Sequence, residues 1–255
     1  MPTFVHYAVE GPVARITLDS PDNRNALSTA LVNQLHQAFT DATEESGVRA
    51  VVLDHTGGTF CAGADLAEAA GRDPGDVAVD RARELTQLLR RILKLPIPVI
   101  AAVDGHVRAG GLGLVGACDI AVAGQASTFA LTEARIGVAP SIISLTLLPK
   151  MTARAASRYF VTGEKFGAAE AADMGLITIA ADDVTATVAT LTAAIGKASP
   201  QGLAASKALT TAAILEAFDR HAEELTEQSA RLFVSEEARE GMLAFLQKRP
   251  ANWAI

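Results

Sequence analysis

Two glycine-rich segments and one glutamate carry the residues of this chain best suited to chemistry. The first segment reads Phe60-Cys61-Ala62-Gly63-Ala64-Asp65-Leu66, and the second reads Gly105-His106-Val107-Arg108-Ala109-Gly110-Gly111-Leu112-Gly113. Each follows an apolar run with strand character, Ala50–Leu53 and Pro98–Val103. Small residues let a ligand come close to the backbone. The unpaired N–H groups at a helix start then face whatever oxygen is bound there. Two such groups converging on one oxygen form an oxyanion hole. Glu133, in Leu131-Thr132-Glu133-Ala134, is a carboxylate able to move a proton nearby. Its plain alternative is a surface acid opening a helix, where the dipole favours negative charge.

The elements that must position these groups follow from the pattern along the chain. Val13–Leu18 reads as a strand, Ser20–Asn25 as a turn, and Ser28 as the cap of a helix carrying Leu31, Leu35 and Phe39. Gly71–Gly75 reads as a loop, and a helix with Leu85, Leu88, Leu89, Ile92 and Leu93 follows. Asp119–Ala123 and Thr128–Leu131 are short strands. Beyond Thr152 the pattern is helical, with segments at Thr152–Phe160, Ala168–Met174, Asp183–Ala198, Leu203–Phe218, Ala222–Phe233 and Glu236–Lys248. Early alternation and late helices predict an α/β core over residues 1–198 and a helical C-terminal region over 199–255.

Composition narrows the function classes. With 255 residues, 49% hydrophobic and 20% charged, the chain suits a globular fold with a full core. No apolar run approaches the roughly 20 residues of a membrane span. The N-terminus lacks signal-peptide character, which predicts a cytoplasmic protein without a membrane partner. A net charge of −7 and 5% aromatics argue against nucleic acid. Cys61 and Cys118 fit no disulfide or metal spacing, and the five histidines form no i, i+4 pair, so no metal is expected. Cys61 reads as a small buried filler in preference to a nucleophile.

Gly111-Leu-Gly113-Leu-Val-Gly116 matches the dinucleotide pattern G-x-G-x-x-G, with Glu133 20 residues after Gly113. Residues 106–109 separate these glycines from the preceding strand, and the next apolar run begins almost at once. Close packing of a short helix is therefore the better reading, and no nicotinamide or flavin cofactor is expected.

Taken together, Pro21–Leu27, Phe60–Leu66, Pro98–Ile120, Phe129–Pro140, Ala168–Gly175 and Glu236–Trp253 resemble the enoyl-CoA hydratase/isomerase (crotonase) family. The resemblance implies a ClpP-like spiral of ββα units with a C-terminal helical trimerisation region. It also implies a homotrimer or dimer of trimers, and an acyl-CoA thioester as ligand. Coenzyme A would enter only as part of the substrate, with no separate cofactor. By position, Ala64 and Gly110 would supply the oxyanion-hole N–H groups, with Glu133 as acid and base. Ala62, Asp65, Leu66, Ala67 and Gly111 would frame the coenzyme A portion. Lys248 matches a lysine near the coenzyme A phosphate, and a solvated helix-end lysine is its alternative. Asp65 also suits a turn or cap, and Asp119 suits bracing of backbone.

The chain departs from the family pattern at one position. Many hydratases of the family carry a second glutamate where this chain has Gly113. A single glutamate also resembles the Δ3,Δ2-enoyl-CoA isomerases, and loss of a carboxylate is compatible with a binding protein that has lost catalysis. The strings Ala109–Ile120, Phe129–Pro140 and Arg154–Phe160 resemble a bacterial branch of methylglutaconyl- and isohexenylglutaconyl-CoA hydratases, which also has glycine there. That likeness favours hydration. Arg108 is a partner for a substrate's distal carboxylate or a rim arginine paired with a surface acid. By the same resemblance, Ser141 and Ser144 fall where relatives have a glycine-rich stretch beside the acyl pocket, so either would position water, and His106 reads as structural.

Overall fold

The structure is a computed structural model describing residues 2–65 and 74–255. The chain alternates between two sheets, and that alternation is the core of the fold. β3 (Ala50–His55) lies in a six-stranded sheet and β4 (Thr59–Cys61) in a four-stranded one. Helix α2 (Pro74–Lys94) returns the chain to β5 (Val99–Val103) in the first sheet, and β6 (His106–Arg108) follows in the second. Helix α3 (Gly110–Ala117) then leads to β7 (Ile120–Gly124) and β8 (Thr128–Ala130), again one strand per sheet. Each ββα unit thus adds a turn to a spiral. Strands β3, β5 and β7 pair in parallel, as do β4, β6 and β8. Parallel pairing through helical crossovers explains why β5 is buried along its whole length and reads as a continuous apolar run.

The first sheet is completed by β1 (Val5–Glu10), β2 (Val13–Leu18) and β10 (Ile179–Ala181). The alternation did not mark β1 as a strand, because most of its residues are exposed on an edge. β2 buries alternate residues, Ala14, Ile16 and Leu18, against α1 (Thr29–Glu44) and the core. Ser28 caps α1, its Oγ accepting from Leu31 N–H at 3.2 Å. β9 (Phe166–Gly167) closes the second sheet against β8.

The remaining helices are α4 (Ser144–Leu147), α5 (Ala153–Thr162), α6 (Ala168–Asp173), α7 (Val184–Ile195), α8 (Pro200–Phe233) and α9 (Glu236–Leu246). The segments expected at 203–218 and 222–233 are one helix of 34 residues, since nothing between Phe218 and Ala222 breaks it. Pro74 and Gly75, expected in a loop, already belong to α2. The other residues of that loop, 71–73, lie outside the described residues. Lys207 of α8 is buried and ties the helical region to the core. Its ammonium pairs with Asp119 at 2.8 Å and donates to the carbonyls of Ile92 and Ile97. Among the described residues no helix is long and apolar enough to cross a membrane.

Candidate active site at the ends of three parallel strands

Parallel strands deliver their following residues to one end of a sheet. Here the C-terminal ends of β4, β6 and β8 lie side by side, and they lead into Ala64, Gly110 and Glu133 respectively. In-register pairs Cys61↔Val107 and Arg108↔Ala130 fix that alignment.

The turn around Pro21–Leu27 holds the loop after β4. Ala62 N–H donates to Arg24 O at 3.1 Å, and Leu27 N–H donates to Gly63 O at 2.7 Å. Asp65 N–H reaches Leu27 O at 3.4 Å, and Asn23 Nδ2 donates to the Asp65 carboxylate at 3.2 Å. These contacts make Leu27 and Ala64 a parallel bridge. In such a bridge the partner's own N–H points to the opposite edge. That edge is the β6 side, where Gly110 lies. A Cβ placed on Gly63 would stand 2.8 Å from the Ala109 methyl and 3.3 Å from Gly110 N.

The helix start after β6 is set by Ala109, whose backbone has φ 46° and ψ −122°. A residue with a side chain pays roughly 1–3 kcal/mol for such a conformation. It turns the next peptide so that α3 begins at once after β6. Gly110 is the first residue of α3, so its N–H has no place in the helical ladder. Among the described residues no backbone carbonyl accepts from Ala64 N–H or Gly110 N–H. Gly111 is required by packing, since a Cβ there would lie 2.7 Å from Cys61 O.

Glu133 opens a 3-10 turn over Glu133–Ile136, three residues past β8. Its side chain is buried and Oε2 has no hydrogen-bond partner. Burial disfavours the charged form and pushes the carboxyl up to about 7. Ser141, on the loop that follows, is also buried with an unpartnered Oγ. Ser144 Oγ is occupied, donating to Ser141 O at 2.6 Å.

The G-x-G-x-x-G string lies wholly inside buried α3, and each glycine meets a neighbour. A Cβ on Gly113 would stand 2.5 Å from Ile143 Cγ2 and 3.3 Å from Leu89 Cδ1. Apolar side chains therefore occupy the space into which a side chain at 113 would project. A Cβ on Gly116 would lie 3.0 Å from Thr146 O.

Other residues singled out by sequence fall elsewhere. Arg108 folds back along the sheet, donating to the carbonyls of Val107 and Thr128 and to Thr128 Oγ1. Thr128 is paired with His106, so the guanidinium lies toward the start of β6, away from Gly110. It has no acid partner in these contacts, unlike the rim pairing expected as an alternative. His106 Nδ1 meets Thr128 Oγ1 at 2.9 Å. Asp65 is engaged with the Asn23 turn, and Asp119 braces Val99 N–H as well as Lys207. Lys248 is exposed just beyond α9 with φ 53°. Leu66 and Ala67 lie outside the described residues. Cys61 is fully buried, accepts from Gly63 N–H, and has its thiol pushed up to about 12, the state of an inert filler.

Sequence reasoning missed Asn25, which is fully buried with φ 53°. Its side chain accepts from Ser20 N–H and donates to the carbonyls of Thr56 and Thr59, tying the turn to β4. An asparagine in a turn was the available signal. A cavity of about 920 Å³ opens between the outer face of the six-stranded sheet and α7, lined by Asp54, Asp104 and Asp183 among others. None of Ala64, Gly110, Glu133 or Ser141 lines it. No group of three His, Cys, Asp or Glu among the described residues is placed to hold a metal ion.

Comparison with known proteins defines the class. The family model described as enoyl-CoA hydratase/isomerase matches residues 8–254, and the chain belongs to that family. The enoyl-CoA hydratase EchA19 of Mycobacterium tuberculosis is 33% identical over 250 residues, covering 93% of this chain and 91% of the relative. The crystal structure of an enoyl-CoA hydratase from Mycobacterium avium superposes with a TM-score of 0.94 at 66% identity, over 100% of both chains. A methylmalonyl-CoA decarboxylase in complex with 2-nitronate-propionyl-CoA superposes at 0.83 with 25% identity, over 99% of this chain and 98% of that one. The architecture is that of the crotonase spiral, which hosts more than one acyl-CoA reaction.

Proposed function

We propose that this chain is an enoyl-CoA hydratase that adds water across the double bond of a 2-enoyl thioester. The observation that carries this is a buried Glu133 carboxyl with an unpartnered Oε2, at the end of the strand next to those that lead into the backbone N–H groups of Ala64 and Gly110. The thioester oxygen accepts from Ala64 and Gly110 N–H. As water adds at C3, the negative charge moves onto that oxygen, where the two donors stabilise it; one such donor is worth about 3–4 kcal/mol. Ionised Glu133 takes the proton from the attacking water and returns it to C2. One hydroxyl and one hydrogen are thus added and the enzyme is regenerated. Ser141 Oγ supplies a second polar atom for the water. Ala62, Asp65, Leu66, Ala67 and Gly111 frame the coenzyme A portion in this reading, and Lys248 meets its phosphate.

Resemblance to the methylglutaconyl- and isohexenylglutaconyl-CoA branch supports a branched or carboxylated acyl group as substrate. Arg108 would have to leave Thr128 to meet a distal carboxylate. Exposed Leu243, Phe245 and Leu246 on α9 favour assembly as a trimer or dimer of trimers, which light scattering on the purified chain measures. The reaction is tested with crotonyl-CoA and methylglutaconyl-CoA, following loss of enoyl absorbance. Glu133→Gln is expected to lower kcat by about 10²–10⁴-fold. Full turnover in that variant, or inertness of the wild type toward both substrates, overturns the reading.

A second reading, Δ3,Δ2-enoyl-CoA isomerisation, is favoured by the apolar filling over Gly113. Here Glu133 alone carries a proton between C2 and C4. Oxygen from labelled water enters the product of hydration and not that of isomerisation.

A further inference from the structure

The 3-10 turn that carries Glu133 is clasped between two helices. On one side Arg135 Nε donates to Thr162 O at the end of α5, at 2.9 Å. On the other side α9 meets the turn backbone to backbone. A Cβ on Gly241 would lie 2.5 Å from the carbonyl carbon and oxygen of Ile136. A Cβ on Gly137, which has φ +77°, would lie 2.6 Å from the carbonyl carbon of Glu237 and 2.8 Å from Ala238 N. The two surfaces therefore fit through paired absences of side chain. Ala238, at this contact, is fully buried. Helix α9 is itself fixed at both ends. Ser235 Oγ accepts from Ala238 N–H, and Arg249 grips the Glu240 carboxylate with two nitrogens while Asn252 N–H donates to the same group.

We propose that α9 is the backing that sets the position of Glu133, with Gly241 as a positioning residue acting through the turn. This rests on the reading of Glu133 as the proton-transferring group. It assigns the C-terminal helix a part in turnover in addition to any part in assembly. The contact is made by backbone on both sides, so it has little slack. A methyl group at 241 must push the turn away, and Glu133 moves with it. Proton transfer depends on the carboxyl position, whereas coenzyme A binding does not.

The test uses the full-length chain. Gly241→Ala is expected to lower kcat about ten- to a hundredfold, as sub-ångström to ångström misplacement does. KM should stay within about threefold of the wild type, since binding common to ground and transition states is untouched. Ala238→Gly introduces no clash and keeps the test decisive if Gly241→Ala fails to fold. It is expected to lower kcat severalfold and to speed amide hydrogen exchange over residues 134–138. Arg239→Ala, exposed on the far face of α9, should match the wild type. Wild-type kcat in Ala238→Gly, or in a folded Gly241→Ala, with Glu133→Gln inactive, overturns this inference alone. Wild-type turnover in Glu133→Gln overturns the reading of the site itself.

Discussion

Glu133 is held in a state suited to accept and return a proton near neutrality. Its carboxyl is moved from 4.5 to about 7 by burial, with no cation among the causes. In the proposed hydration it acts as a base and must be ionised, so kcat is expected to rise with pH along a single limb centred near 7. That limb is read from kcat at saturating enoyl-CoA. The same burial affects stability. A carboxyl raised on folding stabilises fully below 4.5 and loses that contribution as pH rises to about 7. Glu133→Gln has no such titration. It should therefore match the wild type in unfolding free energy near pH 4 and exceed it by about 3 kcal/mol near pH 8. Urea denaturation at the two pH values measures the difference. The strained Ala109 is a second residue-scale feature, placed where β6 must turn at once into α3.

At the scale of elements, α3 explains the missing carboxylate. Its residues are buried throughout, and the glycines let Cys61 approach at Gly111 and the segment of Ile143 and Thr146 approach at Gly113 and Gly116. Gly113→Glu would drive a side chain into Ile143 and bury an acid without a partner. The expected cost is about 1–3 kcal/mol from overpacking, with desolvation added. Ile143→Ala by itself opens a cavity and costs about 2–5 kcal/mol. The double variant should be more stable than the sum of the two, with a coupling of about 0.5–3 kcal/mol. A double-mutant cycle by thermal or urea unfolding reads this directly. Additive losses would mean that Ile143 does not hold the space over Gly113.

For the whole molecule, the helical region and the spiral are joined through Lys207. Its ammonium sits among Asp119 and the carbonyls of Ile92 and Ile97, linking α8 to the end of α2, the start of β5 and the start of β7. Burial, with a smaller push from the Lys150 charge, pulls the Lys207 amine down, and Asp119 opposes that pull. Removing one member of a buried pair leaves an uncompensated charge, so Lys207→Ala is expected to cost about 3–5 kcal/mol. The loss should appear in denaturation midpoints, with KM of the folded enzyme unchanged because the pair lies apart from the strand ends. A shifted KM at full folding would place Lys207 in the site.

Local signals made much of this protein legible. Apolar runs marked β3 and β5, Ser28 announced α1, and leucine spacing marked α2. The glycine segments were recognisable because backbone N–H groups need only small neighbours to be reachable. Gly113 was visible as an absence of chemistry. Other features depend on pairs distant in sequence. Gly63 beside Gly110, the Leu27–Ala64 bridge, Ile143 over Gly113, and Gly241 against Ile136 each join residues that no local pattern connects. The sequence by itself determined which groups were available: two small-residue loops, one glutamate and no second acid at 113. Only the tertiary structure decided that parallel strands β4, β6 and β8 end side by side, because parallel pairing is made across crossovers. Through that alignment, separate stretches of chain meet at one place.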